Sequence, residues 1–258
     1  MSMTTTEYER IAEELDLAAQ TAEAVDQISL TTSFTEDEAY EIQRLSIQRR
    51  IDRGETLIGL KLGFTSFAKM EQMGVHDMIW GRLTDAMLLE GGGELELSKF
   101  IHPRAEPEIC FRMAQDVDRE ITRDEVLDYV DAMAPAIEVI DSRYQNFKFS
   151  LEDVIADNCS SSALVVGDWM QLREDLTNLN ITLSFNDEVK EQGSSNDILG
   201  DPWLSVVHAI RLSLKYNQPL RKGDILMAGA ATSAVFIQPG TTIKAEVEGM
   251  GPVQFDVA

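Results

Sequence analysis

Cysteine is scarce in this chain of 258 residues: Cys110 and Cys159 are the only two. They are too few for a disulfide framework, and each sits among apolar or small neighbours, as a small core residue would. Positive charge is also short, with 22 Lys and Arg against 45 Asp and Glu and a net charge of -23 at pH 7. That balance excludes general recognition of a nucleic-acid backbone, which rests on basic patches, and it disfavours an anionic membrane surface. The acidic residues are spread along the chain, so they signal a self-repelling surface, and an anionic substrate would have to find positive charge locally. No apolar run reaches membrane-spanning length and no basic-then-apolar leader opens the chain, so it reads as cytoplasmic. Internal repeats and low-complexity linkers are absent, and a hydrophobic fraction of 44% supports a substantial core.

The N-terminal region is expected to be helical. Thr4-Thr5-Thr6-Glu7 fits a capping box ahead of Ile11, Leu15, Ala18, Ala22 and Val25 at helical spacing. A second box, Thr35-Glu36-Asp37-Glu38, opens a helix carrying Ala39, Ile42, Leu45 and Ile51 that ends near Gly54. From residue 57 the period changes to two, in Leu57-Ile58-Gly59-Leu60-Lys61-Leu62-Gly63. A Met-rich stretch follows, with Met70, Met73 and Met78 around Gly74, either a mobile cover or core filler. Thr122-Arg123-Asp124-Glu125 predicts a helix with Val126, Tyr129, Val130 and Met133 inward, and Asp201-Pro202 another with Trp203, Val206, Val207, Ile210 and Leu214 buried. The remainder, to Val257, reads as short strands.

Two carboxylates stand two residues apart in the strand-like Ile101-His102-Pro103-Arg104-Ala105-Glu106-Pro107-Glu108-Ile109, so Glu106 and Glu108 project to one face. Like charges that close need a cation between them or a proton on one. Glu138 lies alone in the apolar run Ala134-Pro135-Ala136-Ile137-Glu138-Val139-Ile140 and has the same need. Three glutamates from two strands suit magnesium or manganese, the alternative being a solvated edge strand beside an ordinary buried ion pair. Lys61 shares its strand face with Gly59 and Gly63, so it either points into a confined space left open by them or is simply solvated.

Four stretches recur in order: Gly59-Leu60-Lys61-Leu62-Gly63-Phe64-Thr65-Ser66, the Ile101 to Ile109 segment, Glu138-Val139-Ile140-Asp141-Ser142-Arg143-Tyr144, and Ala156-Asp157-Asn158-Cys159-Ser160-Ser161. Together they resemble the hydratase/decarboxylase branch of the fumarylacetoacetate hydrolase superfamily. Tyr144-Gln145-Asn146-Phe147-Lys148-Phe149 and Lys69-Met70-Glu71-Gln72-Met73-Gly74-Val75 are most similar to its decarboxylase members, which act on 2-oxo-3-hexenedioate (4-oxalocrotonate) in the meta-cleavage catabolism of aromatics. The sister hydratases of 2-oxopent-4-enoate share most of these motifs.

The resemblance implies an α+β fold with a smaller helical N-terminal part (1–56) ahead of a mixed β-roll catalytic domain (57–258). It implies Mg2+ or Mn2+ held by Glu106, Glu108 and Glu138, an active-site lysine at Lys61, and substrate contacts at Ser160 and, as a weaker correspondence, Asp85. Trp80 and Arg82 stand where smaller or apolar residues are expected, which puts the pocket's shape in question. The expected reaction is metal-dependent decarboxylation to 2-hydroxypenta-2,4-dienoate. Lys61 would either stabilise developing charge or exchange protons, and Arg82, Arg143 and Lys148 are candidates for the second carboxylate of the substrate. Alternatives are hydration of 2-oxopent-4-enoate, hydrolysis of a carbon–carbon bond with His76 as the base, or a non-catalytic role as partner of another enzyme. A homo-oligomer and a complex with the hydratase are further expectations of the resemblance.

Overall fold

The computed structural model describes residues 4–66, 70 and 77–258. Two helices open the chain, α1 (Thr5–Thr21) and α2 (Glu36–Asp52). Thr4 with Glu7 and Thr35 with Glu38 form reciprocal capping boxes that satisfy the first amides of each helix. The helices are tied together by Asp16, whose carboxylate takes both terminal nitrogens of Arg53 at 2.7 Å. Gln43 of α2 donates to the carbonyls of Trp80 and Ile155 at 3.0 and 2.9 Å, which pins the helix onto the strands that follow.

Those strands are β1 (Leu57–Gly63), β2 (Ile79–Thr84), β3 (Leu88–Leu89), β4 (Glu94–Leu95), β5 (Arg104–Met113) and β6 (Val130–Ile140), the last preceded by a single turn, α3 (Val126–Tyr129). After α4 (Leu151–Ala156) come β7 (Ser161–Val166), β8 (Asn180–Phe185) and β9 (Glu188–Ser194). Helix α5 (Trp203–Lys215) leads to β10 (Ile225–Met227), β11 (Val235–Phe236), β12 (Thr242–Val247) and β13 (Gly251–Val257). An eight-stranded mixed sheet runs β2-β1-β10-β5-β6-β7-β3, with β11 also on β5, and a five-stranded sheet runs β4-β13-β12-β8-β9. This is the α+β roll expected from the resemblance.

The two faces of β5 and β6 have separate duties. Ala105, Ile137 and Val139 meet Leu183, Ile243, Ala245 and Phe255 of the second sheet in one apolar layer, and Phe111 stacks on Trp203 of α5. Burying such side chains stabilises by about 1.5–3 kcal/mol each, which fixes the register of both strands. The opposite face carries Glu106, Glu108 and Glu138. Farther along that face, Cys110, Ala136 and Met227 pack with Ile47 of α2. Strands β10 and β11 lie along the same edge of β5 as one interrupted strand, and the break between them brings residues 228–234 over the glutamates.

One expected element differs. The capping box at Thr122 is present, yet the helix it starts ends at Tyr129, and Val130 and Met133 belong to β6. Pro135 would break a longer helix, while the apolar run from Val130 pairs with β5 along its whole length. Gly59 also serves its neighbours rather than a ligand: at φ +150° beside a register shift, a Cβ there would overlap the backbone of Ile225. Of the Met-rich stretch, Met70 and Met78 are buried in the main core, while Met73, Gly74 and His76 lie outside the described residues.

Candidate active site

Register alone assembles the acidic cluster. Glu106 and Glu138 are direct partners across β5 and β6, and Glu108 is one rung along on the same face. One carboxylate oxygen from each lies within 4.8 Å of the others. Glu108 and Glu138 are fully buried. The Gly229 amide donates to Glu108 Oε2 at 2.8 Å, while Glu108 Oε1 and Glu138 Oε1 have no hydrogen-bond partner among the described residues. Burial first, and then the charge of Glu138, hold the Glu108 carboxyl well above the usual range, against the pull of Lys61. Gly229 has φ +104°, and any Cβ there would overlap Thr65 Oγ1, so only glycine lets this amide reach Glu108.

Lys61 reaches the cluster from β1. It sits on one cross-strand row with Met227, Cys110 and Ala134, all of which face the site side of the sheet. The lysine is only 4% exposed, and its Nζ lies 2.9 Å from Glu138 Oε2. Burial works against its charge, but Glu138, with Cys159, Glu108 and Glu106, outweighs burial and holds the ammonium above the ordinary lysine value. Together these four side chains carry more negative than positive charge. A divalent cation with hard oxygen ligands fits both that charge and the unpartnered carboxylate oxygens.

Glu106 and Lys61 border a cavity of about 170 Å³. Glu106, Lys61, Thr65 and Ser160 form its polar side, and Ile79, Ile140, Phe147, Phe149 and Val154 its apolar wall. Ser160 Oγ is buried without a hydrogen-bond partner among the described residues. It stands at the end of three successive left-handed residues, Asn158, Cys159 and Ser160, with φ between 50° and 58°. Asn158 holds this turn by accepting from Arg82 N at 2.7 Å and donating to Arg82 O at 2.9 Å. The Cys159 thiol is directed to Trp80 O at 3.1 Å and is pushed up to about 12 by burial, so it is no nucleophile.

Other candidates fall elsewhere. Arg143 does not line the cavity: its guanidinium is spent on Asp157, on the carbonyls of Asp141, Asp157 and Ser161, and on Ser162 Oγ. It clamps the left-handed turn from behind. Asp85 is exposed and accepts from Thr56 N and Ala86 N, each at 2.9 Å, as a turn former does. Lys148 is exposed between Phe147 and Phe149, whose rings line the cavity while its own side chain does not. Trp80 and Arg82 border a separate cavity on the other face of β1, beside Leu60, so they leave the shape of this one untouched. His102 packs at a tilt against Phe147 with ring centroids 5.0 Å apart, His208 is half-buried on α5, and neither lines the cavity. Gly229 was not foreseen, although the small-residue run Ala228-Gly229-Ala230-Ala231 signals a close approach.

Residues 71–258 match the family model described as fumarylacetoacetate (FAA) hydrolase C-terminal. The chain belongs to the fumarylacetoacetate hydrolase family. Within that family it is 49% identical to a 4-oxalocrotonate decarboxylase of Pseudomonas sp over 95% of this chain and 96% of that protein. A 2-keto-4-pentenoate hydratase of Paraburkholderia xenovorans is 32% identical over 98% and 95% of the two chains. Among solved structures of fumarylacetoacetate hydrolase relatives, 4-oxalocrotonate decarboxylase from Pseudomonas putida G7, complexed with magnesium and adipate, superimposes with a TM-score of 0.95 at 33% identity. That match covers 100% of this chain and 99% of the other.

Proposed function

We propose that this chain is a metal-dependent 4-oxalocrotonate decarboxylase, converting 2-oxo-3-hexenedioate to 2-hydroxypenta-2,4-dienoate and carbon dioxide. The observation that carries the reading is the cluster of Glu106, Glu108, Glu138 and Lys61, which meets a largely apolar cavity through Glu106 and Lys61. The greater identity to the decarboxylase than to the hydratase supports it.

Glu106, Glu108 and Glu138 would hold magnesium or manganese, each offering one oxygen. When bound, the ion supplies a Lewis acid that orients the 1-carboxylate and 2-oxo group and draws electrons to the latter. The bond from C5 to the 6-carboxylate breaks, and its electron pair becomes the C4–C5 double bond as the C3–C4 double bond moves to C2–C3. The charge ends on the 2-oxo oxygen, which takes up one proton from solvent to give the 2-hydroxy product. Lys61, an ammonium in this setting, would stabilise that charge where it develops, and the unpartnered Ser160 Oγ would donate to the 1-carboxylate. The apolar wall keeps water from the other end, and a departing carboxylate becomes neutral more readily where it is poorly hydrated.

The reading extends to a cytoplasmic homo-oligomer that associates with the hydratase, to be tested by size-exclusion chromatography with and without that enzyme. The deciding assay follows carbon dioxide release from 2-oxo-3-hexenedioate with magnesium and with chelator, and dienol hydration in parallel. Release that disappears with chelator is the expected result. Hydration without release would make the chain a hydratase, and inactivity in both would return it to the hydrolase or partner alternatives.

A further inference from the structure

Arg82 is a buried cation without a counter-ion among the described residues. It is only 6% exposed, yet its guanidinium makes no ion pair or hydrogen bond to any of them, and its Nε is closed off without a partner. Trp80, two residues earlier on β2 and 2% exposed, has the same unmet need at its indole Nε1. The Trp80 ring, 5.4 Å from the guanidinium carbon, offers a face but no acceptor. Buried donors without acceptors cost free energy, and a buried charge costs more. Burial, with the nearby charge of Arg44, pulls the guanidinium down to about 9. Glu41 opposes this only in part, because Arg44 already takes both of its oxygens, at 2.8 and 2.6 Å.

Both residues line one cavity of about 370 Å³. Leu60 pairs with Arg82 and Leu62 with Trp80, so these side chains leave the sheet together, on the face opposite to Lys61. The backbone of Arg82 is engaged elsewhere: Asn158 bonds both its N–H and its carbonyl, and Asn158 does not line this cavity. What meets the cavity is therefore the side chain. Leu60, Pro219 and Leu220 form an apolar wall beside it. Asp224 also lies in the lining, but its carboxylate accepts from the Arg221 amide at 2.7 Å and makes no ion pair with Arg82.

These surroundings specify the missing anion. A guanidinium is matched by two oxygens on one planar group, which a carboxylate presents. The apolar wall suits a hydrocarbon body attached to that group. Asp224 repels further negative charge, which favours a monoanion over phosphate or a diacid. We infer that Arg82 and Trp80 form a second binding site, outside the reaction cavity, for a small organic monocarboxylate with an apolar body. Smaller or apolar residues are expected at both positions from the family resemblance, which makes the site a feature of this chain. It is independent of the reaction proposed above.

Such a site has a signature opposite to that of a structural arginine. An arginine paired within the protein destabilises when removed, whereas one that is matched only by a ligand is a cost to the empty protein. Arg82→Met should therefore leave the unliganded melt unchanged or higher while weakening binding.

The test titrates benzoate, acetate and inorganic phosphate by calorimetry into wild type, Arg82→Met, Arg82→Lys and Lys61→Met. Chelator is present throughout, so that no metal draws carboxylates to the glutamates. Wild type should bind one benzoate per chain, more tightly than acetate, which lacks the body, and than phosphate, which carries more charge. Arg82→Met should weaken benzoate about ten- to a hundredfold, the scale of a charge-assisted pair, and Arg82→Lys by less. Lys61→Met should bind it as wild type does. Thermal melts with benzoate should follow the same order. Absence of benzoate binding, a preference for phosphate, or unchanged affinity in Arg82→Met would overturn the assignment. Loss of binding in Lys61→Met would also overturn it, by placing benzoate in the reaction cavity. So would a lower unliganded melt in Arg82→Met, and a smaller particle in size-exclusion chromatography would then name a second copy of the chain as the source of the counter-ion.

Discussion

Lys61 Nζ lies 2.9 Å from Glu138 Oε2, an ion pair in which both side chains are almost wholly withdrawn from solvent. The lysine thus shares with an incoming cation the carboxylate that the cation needs. Removing it separates two roles. Lys61→Met should lower kcat at least about a hundredfold, the usual cost of deleting a group that stabilises transition-state charge. Magnesium affinity, measured by calorimetry, should stay the same or rise, because a competing positive charge is gone. A parallel fall in magnesium affinity and turnover would place Lys61 in metal retention instead.

Glu108 is a second point of separation. Its Oε2 accepts from Gly229 N and its Oε1 has no hydrogen-bond partner among the described residues, so Glu108→Gln keeps the shape and the accepted hydrogen bond while removing one charge. The metal-free variant should melt higher than metal-free wild type, since it buries one fewer like charge. The upward shift of the melt on adding magnesium should vanish together with turnover. Full activity in Glu108→Gln would sink the ligand set.

The raised pKa of Glu108 gives metal binding a definite pH dependence. A carboxyl whose pKa is higher folded than unfolded adds stability at low pH, and that contribution is lost as pH rises through the raised value. Metal-free protein should accordingly lose stability as pH rises above the ordinary carboxyl range, while magnesium, which needs ionised carboxylates, gains a stronger hold. Melts with and without magnesium across that range should diverge as pH rises. Titrations in buffers of different ionisation enthalpy should show protons released on binding.

Much of this was legible in the chain because strands report their faces by alternation. Glu106 and Glu108 two apart, Glu138 alone in an apolar run, and Lys61 in an alternating segment each announce a polar group that the fold must bury or satisfy. The capping boxes at Thr4 and Thr35 likewise state both helix starts in local chemistry. What stayed hidden depends on partners distant in sequence. Arg143 looks like any cation near a site until Asp157 and three carbonyls are seen to use up its donors. The helix expected through Met133 failed because a capping box states where a helix begins, whereas its length is set by what the following residues pair with.

Arg143 and Asp157 form a buried pair whose loss should be felt mainly in stability. Removing one partner of such a pair costs about 3–5 kcal/mol, so Arg143→Met should show that loss in urea unfolding. The Asp157 carboxyl, pushed up to about 6 by burial against the opposing pull of Arg143, would rise further without the arginine. Because a raised carboxyl favours the folded state at low pH, the penalty should shrink in mildly acid buffer and be largest at alkaline pH. A penalty that grows as pH falls would show that the pair is not what holds this turn.

Gly229 joins backbone conformation to metal chemistry most directly. Its φ of +104° and its close approach to Thr65 exclude a side chain, and its amide is the single hydrogen bond found on Glu108 among the described residues. A carboxylate that accepts a backbone N–H is held in one orientation and is more easily ionised, and both effects favour cation binding. Gly229→Ala should push the 228–234 segment away from Thr65 and weaken magnesium binding about ten- to a hundredfold, the range typical of lost outer-shell support. Gly229→Ala introduced into Glu108→Gln should add little further loss, because both changes act on one ligand. If the two losses add in full, the Gly229 amide does not work through Glu108, and the backbone break between β10 and β11 has some other purpose.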